Sequence, residues 1–278
     1  MSRINRSWLQ PRRLLKSVLD PVTRFIALPR ARLQRHWLAH DPASTLSVNH
    51  RVWDRILAKY LSPGIEGGPN RFDYGAVSAA DHQALKAYLR DLGETLPGKL
   101  RRDEQLSFWI NAYNALTIDL VLEHYPVQSI TQIKAGFGPL GPWKQKRFQV
   151  DGRKLSLNDI EHRILRPIWK DPRLHYALNC ASMGCPSLAG KAFRPEEAEA
   201  MLEAGARDFI NGGGGILKVE DGAVTLSSIF SWYAHDFGDS EGQVLDHLRK
   251  YADGDTAASL EGISKISGHG YDWRINRK

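Results

Sequence analysis

Apolar residues recur at helical spacing over most of this chain. Positions three or four residues apart predict amphipathic helices at residues 52–61, 81–92, 195–210 and 243–251. Two stretches instead alternate apolar and polar residues around an Asp-Gly pair, which predicts hairpins at 147–157 and 216–226. This mixture indicates an α+β fold, in which several helices pack on a small, mostly antiparallel sheet.

The longest helical pattern, residues 103–125, is apolar on almost every side, so we expect this helix in the interior. The exceptions are Ser107, Asn111 and Asn114, which share one stripe. A buried amide without a partner costs about 1–3 kcal/mol. The two asparagines therefore either tie down irregular backbone or orient a catalytic group or substrate, and the sequence leaves both roles open.

A short helix is predicted at residues 158–165, with Asn158 as its N-cap and Pro167 as its stop. His162 lies away from the apolar stripe of this helix, so it faces another part of the protein. Glu161 is adjacent to His162. Because neighbouring helical residues diverge, Glu161 is expected to hold an arginine or a loop rather than this histidine.

Residues 174–180 alternate with a period of two, which favours a buried strand. Small residues at 181–184 end the pattern and indicate a loop, so Cys180 is placed where the strand opens into that loop. Loops at strand ends commonly hold functional residues. On such a strand His175 and Cys180 point to opposite faces. Cys185 lies beyond the loop, so the strand pattern does not determine where its side chain points.

A cysteine nucleophile needs a neighbouring group, commonly a histidine, that stabilises its thiolate. The strand register disfavours His175, so His162 is the predicted base for Cys180, while Cys185 could pair with either histidine. The competing interpretations are a small buried hydrophobic cysteine and a core histidine bonded to backbone. The same four side chains have no diagnostic metal-site spacing, so neither a metal nor another cofactor is predicted.

Aromatic residues could line a cleft near this chemistry. A Gly- and Pro-rich loop at residues 136–143 contains Phe137 and Trp143, and the chain ends near the pair Tyr271 and Trp273. The predicted binding residues are therefore Trp143, Tyr271, Trp273, His175 and Cys185.

The 278-residue chain has a net charge of +7, and its basic residues are concentrated at one end. Residues 1–40 carry nine Arg and Lys against one acid, a net charge of +8, which leaves −1 for the remainder. A nearly neutral body argues against an extended nucleic-acid surface. We expect residues 1–42 to form a poorly ordered leader that could contact an acidic or membrane surface, and residues 43–278 to form one globular domain.

No apolar run is long enough for a membrane-spanning helix. Arg24 and Arg30 also interrupt the best stretch for the apolar part of a secretory signal. The sequence as written therefore predicts a cytoplasmic location by default.

Four segments stand out together: FWINAYNA at 108–115, LSLNDIEH at 155–162, HYALNCAS at 175–182 with GCP at 184–186, and SSIFSWY at 227–233. In this order they resemble the motifs of the bacterial domain-of-unknown-function family 547 (DUF547). The resemblance spans roughly residues 45–275 and implies one α+β domain, with a distant likeness to papain-like or transglutaminase-like folds. Many relatives begin with an export signal, which makes export the alternative to the default location.

The resemblance also implies a set of site residues, because Asn111, Asn114, Asp159, Glu161, His162 and Cys180 fall on motif positions. The family is associated more firmly with its first cysteine than with its second, which agrees with the preference for Cys180. The family's description gives no activity.

From the residues we predict a thiol-dependent hydrolase or acyltransferase that acts on an amide or thiol-containing small substrate. Cys180 would attack, His162 would accept its proton, an asparagine would orient or donate to the oxyanion, and Glu161 would hold the site together. The alternative is a non-catalytic module whose cleft binds a peptide or a thiol compound.

Overall fold

The structure is a computed structural model that describes residues 30–133 and 141–278. Its helices are α1 (Arg51–Tyr60), α2 (Ala79–Glu94), α3 (Arg102–His124), α4 (Leu157–Asp159), α5 (Arg166–Trp169), α6 (Leu174–Ala177), α7 (Pro195–Asn211), α8 (Ser228–Trp232), α9 (Ala234–Phe237), α10 (Glu241–Tyr251) and α11 (Gly254–Ser259). Its strands are β1 (Leu61–Ser62), β2 (Arg71–Phe72), β3 (Phe148–Val150), β4 (Arg153–Leu155), β5 (Ile216–Glu220), β6 (Ala223–Ser227) and β7 (Lys265–Gly270).

Helix α3 lies inside the larger of two hydrophobic cores, as its apolar surface predicts. Phe108, Trp109 and Leu120 are fully buried, and α2 packs directly against α3. A second core forms between α7, α10 and the inner face of β6, where Phe209, Leu226 and Leu248 are buried. The predicted amphipathic helices correspond to α1, α2, α7 and α10.

Both predicted hairpins are present and confirm the α+β class. The pairs β3–β4 and β5–β6 are antiparallel, and Asp151, Gly152, Asp221 and Gly222 all have positive φ angles, as tight hairpin turns require. The strands form separate small sheets, β1–β2, β3–β4 and β5–β6–β7, rather than one. Strand β7, which the sequence did not identify, pairs parallel with β6.

The predicted strand at 174–180 is wrong. Residues Leu174–Ala177 form helix α6, and the chain becomes extended only from Leu178 onward. Residues 174–179 are all buried, so alternation over so short a run could not distinguish a strand from a helix. The Asp171 side chain accepts a hydrogen bond from the Arg173 N–H and starts the helical turn. His175 and Cys180 are therefore not held on opposite faces of one strand.

The helix predicted at 158–165 also differs from the structure. It is capped by Ser156, which exchanges hydrogen bonds with Asp159 in a capping box. Helix α4 continues into a π-helical segment, Ile160–Leu165, and then into α5. Pro167 lies in the first turn of α5 and does not stop the helix. The carbonyls five and four residues before it, of His162 and Arg163, accept hydrogen bonds from the N–H groups of Arg32 and Gln34 instead.

Residues 30–42 of the predicted leader pack on the body of the protein. Trp37 is only 3% exposed, and its ring makes an edge contact with Trp109 of α3 at a centroid distance of 5.1 Å. The Arg32 N–H donates to the His162 carbonyl at 2.9 Å. Residues 1–29 and 134–140, the latter including Phe137, lie outside the described residues, so the division into leader and domain stays a prediction. Within the described ranges, no helix has the length and hydropathy needed to cross a membrane.

The burial of Trp37 predicts that residues 30–42 contribute to the stability of the fold. We expect Trp37→Ala to lower the free energy of unfolding by about 3–5 kcal/mol, as large buried aromatic residues generally do when truncated. The neighbouring Leu38 is 40% exposed, so Leu38→Ala should cost less than about 1 kcal/mol. Urea unfolding of both variants measures the difference. Equal, small effects would show that this segment does not unfold with the core.

Candidate active site

One cleft of about 100 Å³ brings together most of the predicted site residues. It lies where the two hydrophobic cores meet, beside the π-helical segment and the cysteine loop, residues 178–186. The predicted residues that line it are Glu161, His162, His175, Cys180, Cys185, Trp143, Tyr271 and Trp273. Lining residues that were not predicted as site residues include Tyr113, Lys144, Trp232 and Tyr233.

Asn114 of α3 fixes the entry to the cysteine loop. Its side-chain N–H donates to the Ala177 carbonyl at 2.9 Å, and its oxygen accepts from the Asn179 backbone N–H at 2.9 Å. Asn179 then accepts from the Ala181 N–H and donates to the Pro186 carbonyl, each at 2.8 Å. These buried amides satisfy backbone groups that no regular secondary structure could satisfy here.

The residues after β7 hold the opposite side of this loop. The backbone N–H groups of Met183 and Gly184 donate to the carbonyls of Arg274 and Asp272, each at 2.8 Å. A Cβ atom at Gly184 would lie only 2.8 Å from the Asp272 nitrogen and 3.0 Å from the Tyr271 ring. Glycine therefore permits the close approach that places Tyr271 beside the thiols.

Both thiols are free and belong to one hydrogen-bonded cluster. The Cys185 sulfur accepts from the Cys180 backbone N–H at 3.0 Å and from the Tyr271 hydroxyl at 3.1 Å. The Cys180 sulfur lies 2.9 Å from the Ser182 hydroxyl and 3.0 Å from the Tyr271 hydroxyl. Tyr271 has a single proton, so it cannot donate to both sulfurs at once.

This arrangement favours ionisation of Cys185 over Cys180. Burial opposes ionisation of Cys185, but hydrogen bonds from the Cys180 thiol, the Tyr271 hydroxyl and nearby backbone N–H groups lower the pKa of Cys185 to about 7. Burial raises the pKa of Cys180 well above its ordinary value, and the neighbouring Cys185 raises it further. The pair therefore loses its first proton near neutral pH, and the hydrogen bonds favour Cys185 as the site of that charge.

Glu161 is a buried carboxylate at the side of the cleft. It accepts a hydrogen bond from the Tyr113 hydroxyl at 3.0 Å, and Tyr233 also interacts with it. Burial opposes its ionisation, yet the neighbouring imidazoles, Tyr233 and Arg166 hold the pKa of Glu161 below its usual value. The prediction that Glu161 stays away from His162 is wrong, since its Oε1 lies 3.7 Å from the His162 Nδ1. Successive side chains diverge less in a π-helical turn, which has more residues per turn.

Arg166 and Asp236 connect the two histidines of the cleft. Arg166 Nη1 lies 2.9 Å from His162 Nδ1, Arg166 Nε donates to Asp236 Oδ2 at 2.6 Å, and His175 Nε2 lies 2.7 Å from the same oxygen. Burial is the main reason that the pKa of His162 is lowered, and Arg166 lowers it further while Glu161 acts against both. Within the described residues, neither histidine forms a hydrogen bond with a thiol. The sequence had no spacing signal for Asp236.

Asn111 and Asn114 serve the backbone rather than the cleft. Asn111 donates to the Phe193 carbonyl at 2.8 Å and accepts from the Phe193 N–H at 2.9 Å. Neither asparagine lines the cleft. Of the two roles that the sequence left open, these contacts therefore support the tying down of irregular backbone.

An aromatic wall, formed by Trp143, Trp232, Tyr271 and Trp273, encloses the cleft on one side. The rings contact each other at centroid distances between 4.5 Å for Tyr271–Trp273 and 5.9 Å for Trp143–Trp273. Trp232 belongs to the SSIFSWY segment, which is the signal by which the sequence could have identified it. The wall gives the cleft a large apolar surface next to the thiols.

Residues 97–210 match the model of a family described as "Protein of unknown function, DUF547", which confirms the resemblance over that segment. The matched segment contains α3, the π-helical segment and both cysteines. No curated protein and no solved structure matches the chain. In the part of the chain that the structure describes, no three His, Cys, Asp or Glu side chains are grouped to hold a metal ion.

The two asparagines of α3 offer a matched pair of variants. Each makes two hydrogen bonds to backbone, so Asn111→Ala and Asn114→Ala should each lower the free energy of unfolding by about 2–4 kcal/mol. Only Asn114→Ala loosens the cysteine loop, so only this variant should raise the apparent pKa of thiol alkylation. Chemical unfolding and alkylation of the reduced proteins against pH measure both effects. An equal rise in both variants, or no rise in Asn114→Ala, would show that the loop does not depend specifically on Asn114.

Proposed function

We propose that this chain, which carries a DUF547 segment at residues 97–210, is a thiol-dependent acyl-transfer enzyme. Its substrate would be a small molecule or peptide that contains an acyl donor such as a thioester or an amide. The observation that supports this proposal is the Cys185 sulfur, which accepts two hydrogen bonds within a cleft that also contains two histidines. A thiolate available near neutral pH is the reactive form of a cysteine nucleophile.

The hydrogen bonds favour Cys185, rather than Cys180, as the attacking sulfur. A backbone N–H cannot give up its proton, so the donor from residue 180 stabilises the Cys185 thiolate permanently. Among the described residues, Cys180 receives no such backbone donor; its sulfur is instead close to the hydroxyls of Ser182 and Tyr271. The role of Cys180 in this proposal is to donate its thiol proton toward Cys185.

The chemistry begins with attack of the Cys185 thiolate on the acyl carbon. The new carbon–sulfur bond forms as the bond to the leaving group breaks, and the leaving group departs with that electron pair and then takes a proton from solvent. Water or another acceptor next attacks the thioester and releases the thiolate, with a cleft histidine as the base. If the acceptor is water, the net reaction is hydrolysis.

The aromatic wall supports a substrate with a flat or apolar portion. Offset and edge-on contacts between aromatic surfaces contribute to binding beyond the area they bury. Trp232 and Tyr271 lie 4.7 Å apart by ring centroids, and Tyr271 also contacts both sulfurs, so a group held at the wall lies next to the nucleophile. The same wall is what a non-catalytic binding module would use, so the two functions differ in whether the thiol reacts.

Alkylation of the reduced protein with iodoacetamide against pH separates these functions. We expect one fast-reacting thiol with an apparent pKa of about 7, identified as Cys185 by peptide mass spectrometry. Cys185→Ala should remove the fast reaction. Cys180→Ala should retain it with a higher apparent pKa, because one donor to the thiolate is lost while the backbone N–H remains.

The contrary results are equally specific. If Cys180 is the fast-reacting residue and its removal abolishes the reaction, the assignment of the nucleophile is wrong. If neither thiol reacts faster than an unfolded control at neutral pH, the cysteines are structural. The binding module then becomes the better description of the cleft.

A further inference from the structure

The two histidines of the cleft contact the Arg166–Asp236 ion pair through different ring nitrogens. Arg166 Nη1 contacts Nδ1 of His162, whereas Asp236 Oδ2 contacts Nε2 of His175. The side chains of Arg166 and both histidines are at most 6% exposed. Each contact therefore fixes which nitrogen of its ring carries the proton, because little solvent is present to compete for it.

The proton on His162 follows from the chemistry of its partner. A guanidinium group has only donors, so Nδ1 must accept the hydrogen bond from Arg166 and carries no proton in this arrangement. The proton of the neutral ring is then on Nε2. Because that ring lines the cleft, His162 offers an N–H donor to a bound molecule.

The proton on His175 follows in the same way from Asp236. Burial opposes ionisation of Asp236, but hydrogen bonds from His175 and Arg166 hold the pKa of this carboxyl well below its usual range. An ionised carboxylate only accepts hydrogen bonds, so His175 donates from Nε2. The nitrogen that remains, Nδ1, has a lone pair when the ring is neutral, and this ring also lines the cleft.

We infer that the Arg166–Asp236 pair gives the two histidines opposite roles in acyl transfer: His175 accepts a proton at Nδ1, and His162 donates a hydrogen bond from Nε2 to the substrate carbonyl oxygen. The inference rests on the proposed function. It replaces the prediction that His162 is the base. Arg166 and Asp236 act as positioning residues, since each contacts a histidine and neither is among the residues that line the cleft.

Tyr233 adds to this arrangement by holding the planes of the rings. Its ring lies 3.9 Å from the His175 ring by centroids, and the Arg166 guanidinium lies 4.9 Å from the centre of the Tyr233 ring. Tyr233 limits tilting of the His175 plane, and a turned-over ring of either histidine would lose its hydrogen bond to Arg166 or Asp236. The nitrogens offered to the cleft are therefore fixed before a substrate binds, which is the condition for electrostatic stabilisation of an oxyanion.

The step that depends on His175 is the release of the acyl group. As the water oxygen bonds to the acyl carbon, one water proton moves to His175 Nδ1. The carbon–sulfur bond then breaks and returns its electron pair to Cys185. The products are a carboxylic acid, the Cys185 thiolate and a protonated His175, which passes its proton to solvent. His162 Nε2–H stabilises the negative charge on the carbonyl oxygen when the acyl group is attached and again when it is released.

Substitution by glutamine separates the two roles, because a glutamine side chain keeps an N–H donor but is not a useful base. The probe is p-nitrophenyl acetate, whose nitrophenolate burst reports acylation and whose steady rate reports deacylation. We expect His162→Gln to keep the burst rate within about tenfold of wild type, and His162→Ala to lower it by about 10²–10³-fold. His175→Gln should leave the burst intact and lower the steady rate by about 10²–10⁴-fold.

Imidazole ¹⁵N NMR of the histidine-labelled full chain gives a readout that does not depend on activity. In their neutral forms, His162 and His175 should both be Nε2–H tautomers. In Arg166→Met, the His162 signal should move toward the Nδ1–H or charged form, since Glu161 Oε1 is only 3.7 Å away. Asp119→Asn is the matched control, because Asp119 accepts from His82 at 2.9 Å outside the cleft and should change only the His82 signal.

The outcomes distinguish the inference from the function on which it rests. If the wild-type protein releases nitrophenolate neither in a burst nor at a steady rate that Cys185→Ala abolishes, the proposed function fails, whatever tautomers the histidines adopt. If the burst is present but His162→Gln abolishes release while His175→Gln does not, the roles are reversed and the inference is wrong. A proton on Nδ1 of either ring in the neutral wild-type protein would also overturn it.

Discussion

The geometry of the cleft depends on the requirement that buried amides find hydrogen-bond partners. Helix α3 is surrounded by apolar side chains, so Asn114 cannot turn to solvent and instead bonds the backbone at Ala177 and Asn179. Asn179 extends the same constraint to Pro186, across the turn that carries both cysteines. The cysteine loop is irregular in form but held at both ends, because Asn114 anchors its entry from the buried helix α3 and Asn179 anchors Pro186.

The fixed loop explains why the two cysteines differ so strongly in how readily they ionise. Cys185 lies at the point where the backbone N–H of residue 180 and the Tyr271 hydroxyl converge, and both stabilise a negative charge. Burial opposes ionisation of Cys180, and a charge on the neighbouring Cys185 opposes it further by repulsion. The difference arises from the turn at residues 180–185 and from Tyr271, and not from a general property of the cleft.

Short-range signals in the sequence were sufficient for the elements that position the site. The burial of α3 followed from its composition, and the hairpins followed from their Asp-Gly turns. The prediction of a strand at 174–180 failed because both faces of this segment are buried. The alternation of polar and apolar residues therefore did not indicate which residues are exposed. The partners of the histidines could not be predicted either, since Asp236 is 61 residues from His175 in sequence and reaches it only through the packing of α9. Most candidate residues line the cleft, whereas the role of each depends on which of its nitrogen or sulfur atoms meets which hydrogen-bond donor.

The residues of the cleft come partly from inside and partly from outside the segment that matches the family. The thiols, Glu161 and both histidines lie inside the segment that matches DUF547, residues 97–210, but Asp236 and three of the four aromatic wall residues lie beyond it. The groups that would bond to the reacting atoms are therefore separate in sequence from the surface that would hold the rest of a substrate. Tyr271 joins the two, because it contacts both sulfurs with its hydroxyl and packs against Trp232 and Trp273 with its ring. A substrate that displaces the Tyr271 ring would also remove a donor from the thiolate, so binding at the wall and reactivity at Cys185 are physically coupled.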